Sequence, residues 1–137
     1  KMLVEIVSAE KEIHTGRATM LFAPAIQGEI GVAPGHTPMV SLLGPGEVRV
    51  QFDDQENSFF ISGGLIEIQP KVVTVLSDIA MRAEDLDEEA ANQAKIQAEE
   101  ALKSEGSTLN YAKARAELAE TVAQIRTIQR LRKKAGR

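Results

Sequence analysis

The stretch "VVTVLSDIAMRAEDLDEEAANQAK", Val72 to Lys95, changes its pattern midway. Val72 to Leu76 is uncharged and mostly β-branched, as a short buried strand requires. Beyond Ser77 alanines and acids take over, with no proline or glycine in the rest of the stretch. Asp85 with Glu88 three residues on has the capping-box spacing. Asp87, Glu88 and Glu89 put negative charge in a first helical turn, where the helix dipole favours it. The stretch therefore predicts a junction: strands before it, helices after it, with residues 1–85 and 86–137 as two domains.

The residues on either side agree. All five prolines fall at or before Pro70, and eight of the ten glycines at or before Gly64. Between them lie "MLVEIVSA", "TMLFA", "MVSLL", "EVRVQF", "SFFIS" and "LIEIQ", which with "VVTVL" read as strands. Val48, Val50 and Phe52 alternate with Glu47, Arg49 and Gln51, the period of a half-buried strand. Close-spaced short strands predict a sandwich or barrel. On the other side, a helix is expected from about Leu86 to Lys103, with a stripe of Leu86, Ala90, Ala94, Ala98 and Ala101 or Leu102. "SEGST" should break it. A second helix is expected from about Asn110 to Lys134, with Tyr111, Ala114, Leu118, Val122, Ile125, Ile128 and Leu131 on one face. Two helices joined by a short turn form an antiparallel hairpin. Alanines facing larger aliphatics allow close approach but bury little area, on the order of 1 kcal/mol per alanine. Such a hairpin can open at modest cost.

Composition narrows the function classes. The chain is 43% hydrophobic and 26% charged, as folded domains are. It has no cysteine, which excludes disulfides and thiolate metal sites. No apolar run reaches the roughly 18 residues of a membrane-crossing helix. Lys1 stands where an initiator Met is expected, which points to a trimmed start. Residues 1–85 hold 6 Lys/Arg against 12 Asp/Glu, and residues 86–137 hold 10 against 8. Arg126, Arg130, Arg132, Lys133, Lys134 and Arg137 form a basic end without an acid. Such an end suits an acidic partner, or simply complements the helix dipole.

The candidate for chemistry is "GEIGVAPGHTP", Gly28 to Pro38, a rigid loop holding Glu29 and His36. An acid–base pair also needs a pocket and a group that orients the base. No third group suggests itself. His14, in "EIHTG", reads as a solvated turn residue. Two histidines do not make a metal site. There is no P-loop, no GxGxxG after a strand and no GxSxG elbow. "ISGGL" lacks the lysine and following helix of a phosphate cradle, and reads as a tight strand connection. An acidic domain with few aromatics is not a nucleic-acid reader. A pre-shaped polar loop suits protein docking better.

Five segments carry a resemblance: "VSAEKEIHTG", "GEIGVAPGHTP", "FFISGGLIEIQPKVVTVLSD", "AMRAEDLDEEAANQAK" and "AELAETVAQIRTI". In this order and spacing they resemble the epsilon subunit of bacterial F-type ATP synthase over nearly the whole chain. Each alone is weak; five in register are specific. The resemblance implies an α+β fold, a ten-stranded β-sandwich followed by a C-terminal antiparallel two-helix hairpin. It implies a non-catalytic rotor subunit with no cofactor or metal. The sandwich would bind the gamma subunit and the c-ring, with Glu29, Gly31, Gly35, His36 and Pro38 at the docking edge. The hairpin would switch to an extended state among the alpha and beta subunits of the head and inhibit ATP hydrolysis. Arg126, Arg130, Arg132, Lys133 and Lys134 would then meet acidic residues of beta. The subunit would be peripheral, on the cytoplasmic side of the bacterial plasma membrane, held there only through the complex.

Some members bind ATP through Ile or Leu, Asp, two variable residues, Arg and Ala. Here Leu86, Asp87 and Ala91 match, but Ala90 replaces the arginine. Gln97 and Val122 stand where further arginines fall in ATP binders, while Arg126 is retained. Losing those cations removes strong phosphate contacts, so weak or no ATP binding is expected. The alternatives are a free-standing ATP sensor of similar fold and an independent enzyme using Glu29 and His36.

Overall fold

A computed structural model describes residues 1–103 and 108–135. The chain divides into two compact units, Lys1–Ala83 and Glu84–Arg137.

The first unit holds ten strands: β1 (Met2–Val7), β2 (Glu12–Ala18), β3 (Met20–Ala25), β4 (Gly28–Val32), β5 (Met39–Leu43), β6 (Gly46–Phe52), β7 (Gln55–Ile61), β8 (Gly64–Ile68), β9 (Val72–Leu76) and β10 (Ala80–Arg82). They run in the order β10-β7-β6-β3-β5-β8-β9-β1-β2, with β4 paired to β3. The end strands β2 and β10 come into contact, so the sheet folds back on itself as a sandwich. β1 and β9 pair in parallel, and the other pairs are antiparallel.

Period-two patterning makes the core. Met2, Val4 and Ile6 of β1, Val48 and Val50 of β6, Ile66 and Ile68 of β8, and Val73 and Val75 of β9 are fully buried in one cluster. Each such aliphatic contributes about 1.5–3 kcal/mol. Phe52 packs against that cluster, as its alternation predicts.

Three strands depart from the expectation. β2, β4 and β10 were not legible as strands. β2 is polar, β4 contains two glycines, and β10 is three residues long. Their partners β1, β3 and β7 impose extended backbone by offering unpaired ladder groups. His14 is the clearest correction. It is not a solvated turn residue but a strand residue, its ring 5.3 Å from that of Phe52 and 5.1 Å from that of Phe59.

The second unit begins with a 3-10 turn at Ala83–Asp85, then α1 (Glu88–Lys103) and α2 (Thr108–Ala135). The cap is Asp87, not Asp85. Its Oδ1 accepts the Ala90 N–H at 3.1 Å, and its carbonyl accepts the Ala91 N–H. The expected break "SEGST" lies almost wholly outside the described residues. Arg132 in the last turn of α2 pairs with Glu88 in the first turn of α1, so the helices are antiparallel. The stripe on α1 runs Ala91, Ala94, Ala98, Leu102, while Ala90 and Ala101 are exposed. The step from Ala91 to Ala94 is three residues, where four was expected. On α2, Tyr111 is exposed, whereas Thr121 and Thr127 are buried. Their hydroxyls donate to the Leu118 and Ala123 carbonyls of the same helix, which satisfies them without a partner helix.

These caps make a direct prediction. Asp87→Ala should lower the stability of the helical unit by about 1 kcal/mol, and Asp85→Ala by less than about 0.5 kcal/mol. Urea unfolding followed by helix ellipticity distinguishes them.

Candidate interaction surfaces

The Gly28–Pro38 segment is half strand and half turn. Gly28–Val32 pairs along β3, and Gly35 adopts φ 86° in the turn that follows. The turn is pinned to its neighbours: the Gly35 N–H donates to the Pro70 carbonyl at 2.9 Å, and the His36 N–H to the Ala33 carbonyl at 3.1 Å. Pro38 is exposed where the chain enters β5.

Glu29 and His36 each have another partner. Glu29 accepts from the Arg49 guanidinium at 3.0 Å. That guanidinium also lies 3.8 Å from a Glu56 carboxylate oxygen and 4.4 Å over the Phe22 ring. Phe22 sits between Arg49 of β6 and Gly31 of β4 in register. Gly31 keeps that place open, since a Cβ there would stand 3.2 Å from the Phe22 ring. His36 Nδ1 donates to the Thr37 carbonyl at 2.7 Å, so Nδ1 carries a proton. The arrangement fixes a carboxylate and an imidazole on a firm edge. It does not build a proton-transfer pair.

A second surface was not anticipated. Leu42, Leu65, Leu76 and Val7 are register partners in turn across β5, β8, β9 and β1, forming one row on the outside of the sheet. Leu42 is 58% exposed and Leu76 44%. Ile26, whose N–H donates to the Leu42 carbonyl, extends the row and is 62% exposed. Val40, 61% exposed, stands two residues along the same face. A contiguous apolar patch of this kind marks a docking site. The sequence held a signal for it: "MVSLL" is apolar on both strand faces, more than one buried face needs.

The basic end of α2 separates into two faces. Arg126, Arg130, Lys133 and Lys134 recur at i, i+4, i+7 and i+8, one side of a helix. Arg132 falls on another side and pairs with Glu88. The Leu86–Ala91 segment has no cation. Asp87 is occupied as the helix cap, Ala90 is exposed, and Ala91 is buried. Among the described residues, no three His, Cys, Asp or Glu side chains group as metal ligands.

Comparison with known proteins gives this geometry its context. The family model "ATP synthase, Delta/Epsilon chain, beta-sandwich domain" matches residues 1–83. The model "ATP synthase, Delta/Epsilon chain, long alpha-helix domain" matches residues 84–129. The chain belongs to the ATP synthase delta/epsilon family. The two matches meet where the two compact units divide. An ATP synthase epsilon chain of Nitrosococcus oceani is 58% identical over 136 residues, covering 98% of this chain and 97% of the relative. One from Alkalilimnicola ehrlichii is 55% identical over 135 residues, covering 98% and 96%. The relatives are thus named for a non-catalytic chain of the synthase. Among solved structures, a chain of the Euglena gracilis mitochondrial ATP synthase (OSCP/F1/c-ring) superposes with a TM-score of 0.82. It is 21% identical, with 90% of this chain and 78% of that one covered. A chain from the Tetrahymena thermophila mitochondrial ATP synthase central stalk and c-ring gives a TM-score of 0.68 at 11% identity, covering 93% and 96%. These two likenesses are of fold.

Proposed function

We propose that the chain is the epsilon subunit of an F-type ATP synthase rotor, and that its two units divide the work. The sandwich docks gamma and the c-ring and carries rotation between ring and head. The helical unit restrains ATP hydrolysis by reaching the alpha and beta subunits in an extended state. The observation that carries this reading is the exposed row Leu42–Leu65–Leu76–Val7. Neither a sensor nor an enzyme needs an apolar sheet face turned to water, whereas a permanent subunit contact does.

The two sandwich surfaces suit different partners. The apolar row fits gamma, a contact that persists through every turn. The Glu29–His36 edge, polar and held by Arg49, Thr37 and Pro70, fits the polar loops of the ring. It presents hydrogen-bonding groups at low ordering cost. Placement at the cytoplasmic side of a bacterial plasma membrane follows through these partners. No helix among the described residues is long and apolar enough to cross a membrane.

ATP is not a ligand in this account. With Asp87 capping α1 and Ala90 in the arginine position, saturable binding should be absent below about 100 μM, a weak affinity on the scale of 1.4 kcal/mol per tenfold. Titration calorimetry of the full chain checks this.

Gamma docking is tested by Leu42→Glu and Leu76→Glu. Both side chains are exposed, so the sandwich should stay folded. Each charge at the centre of an apolar interface should cost about 2 kcal/mol or more, roughly a 30-fold loss of affinity for gamma. Undiminished binding by the doubly substituted chain would refute the assignment of this face.

A further inference from the structure

Outside both docking surfaces lies a polar atom without a partner. His14 Nε2 is buried and makes no hydrogen bond. Its ring is tilted by 55° to Phe52 and 52° to Phe59. A Cβ added at Gly16 would stand 3.4 Å from Nε2 and 3.4 Å from the Phe52 ring, so a side chain there would press on the imidazole. The Arg82 guanidinium lies 5.4 Å over the same Phe59 ring. Arg82 is the last residue of β10, and its register partner on β7 is Phe59. The next residue, Ala83, begins the turn that leads to the helices.

We propose that His14, Phe59 and Arg82 form an acid-sensitive latch: protonating His14 loosens β10, the strand through which the chain leaves the sandwich.

The charge balance around His14 decides the direction. β10 presents Arg82, β6 and β7 present the uncharged Phe52 and Phe59, β1 pairs Ile6 opposite it, and β2 itself supplies Glu12. Burial disfavours the imidazolium first, the Arg82 cation second, and Glu12 opposes them; the net effect lowers the His14 pKa below 6.5. An imidazolium could in principle draw on the two ring faces. The rings are tilted, however, and Arg82 already occupies the Phe59 face. Protonation therefore puts two cations at one ring and a charged donor where no acceptor stands.

A lowered folded pKa means that the released state binds the proton more tightly. The latch is intact above about pH 6.5, the ordinary value. It weakens as pH falls from there to the folded pKa, by at most about tenfold in the closing equilibrium per pH unit. β10 is the element that yields, because it is three residues long and ends at the like charge, Arg82. Met2, Ile6 and the other core residues hold β1 and its neighbours independently of His14.

The test uses the full chain. Imidazole proton resonances follow His14. Amide exchange at Ala80, Met81 and Arg82 is read as protection factors, which remove the intrinsic pH dependence of exchange. Between about pH 7.5 and pH 5, around the window where histidine titrates, protection of β10 should fall, by no more than about tenfold per pH unit. The fall should track the His14 titration, while β1 and β9 stay protected. His14→Phe should abolish the fall, and Arg82→Met should raise the His14 midpoint and shrink it. Constant β10 protection in the natural chain, a His14 midpoint at or above the ordinary 6.5, or an equal fall in His14→Phe would each overturn the latch. The first two need no variant, so a misfolded substitution does not rescue the proposal.

Discussion

Gly64→Ala should destabilise the sandwich by about 3–5 kcal/mol, among the largest effects of any single exposed or half-exposed position. Gly64 has φ 144°, a conformation in which L side chains are strained. A Cβ there would stand 2.0 Å from the Leu76 carbonyl oxygen and 3.0 Å from Ser77 Cα. Those atoms are backbone of β9 and of the residue after it, and cannot swing aside. The strands must part where Leu65 pairs with Leu76. That pair lies in the proposed gamma-docking row, so the substitution should weaken gamma binding as well as stability. Gly35→Ala is the internal comparison. Gly35 also has a positive φ of 86°, but nothing lies within 4 Å of its Cβ position. Only backbone strain remains, about 1–2 kcal/mol. Urea denaturation of the two variants should separate them by about 1–4 kcal/mol, with Gly64→Ala the less stable. Equal losses would mean that "ISGGL" tolerates a side chain and is not the tight connection described.

Converting Arg126, Arg130, Lys133 and Lys134 together to Gln should relieve inhibition of ATP hydrolysis. These four share one face of α2, and in the proposed extended state they meet acidic surface of beta. Charges at an interface rim contribute roughly 0.5–1 kcal/mol each, so four amount to about 2–4 kcal/mol if they act independently. That corresponds to a 30-fold to 1,000-fold weaker hold on the head, by the rule of 1.4 kcal/mol per tenfold. The effect should shrink as salt rises. Arg132 lies on another side of α2, although the sequence groups it with the others. It closes the hairpin by pairing with Glu88, an exposed contact worth about 1 kcal/mol at most. Arg132→Gln should therefore favour the open hairpin and slightly strengthen inhibition. If the quadruple variant inhibits fully, steric blockage by the helix is sufficient and charge is incidental.

What the sequence disclosed follows the physics of each element. Strands with aliphatic alternation, such as β1, β6 and β9, were legible because their own side chains make the core. β2 was not, because its extended form comes from pairing with β1 rather than from its residues. His14 was misread for the same reason: a turn-like "HTG" becomes a ring slot only when Phe52 and Phe59 arrive from β6 and β7. The helix start was readable to within two residues. Which aspartate caps it depended on the 3-10 turn at Ala83–Asp85, which holds Asp85 before the first turn of α1. At the docking edge the residue types were legible, but not that Arg49, twenty residues away, engages Glu29. The apolar row was the least visible feature. It is built one residue per strand from four strands, and only register brings it together.

In the proposed division of labour the sandwich docks while the helical unit regulates. The most direct measurement is ATP hydrolysis by a catalytic head stripped of its epsilon subunit, with the full chain or a chain ending at Glu84 added back. The shorter chain keeps every residue of the buried core cluster, from Met2 to Ala80. Both chains are predicted to bind gamma, and only the full chain to lower hydrolysis. Equal inhibition by both, or failure of either to bind gamma, would mean that the two units do not divide the work in this way.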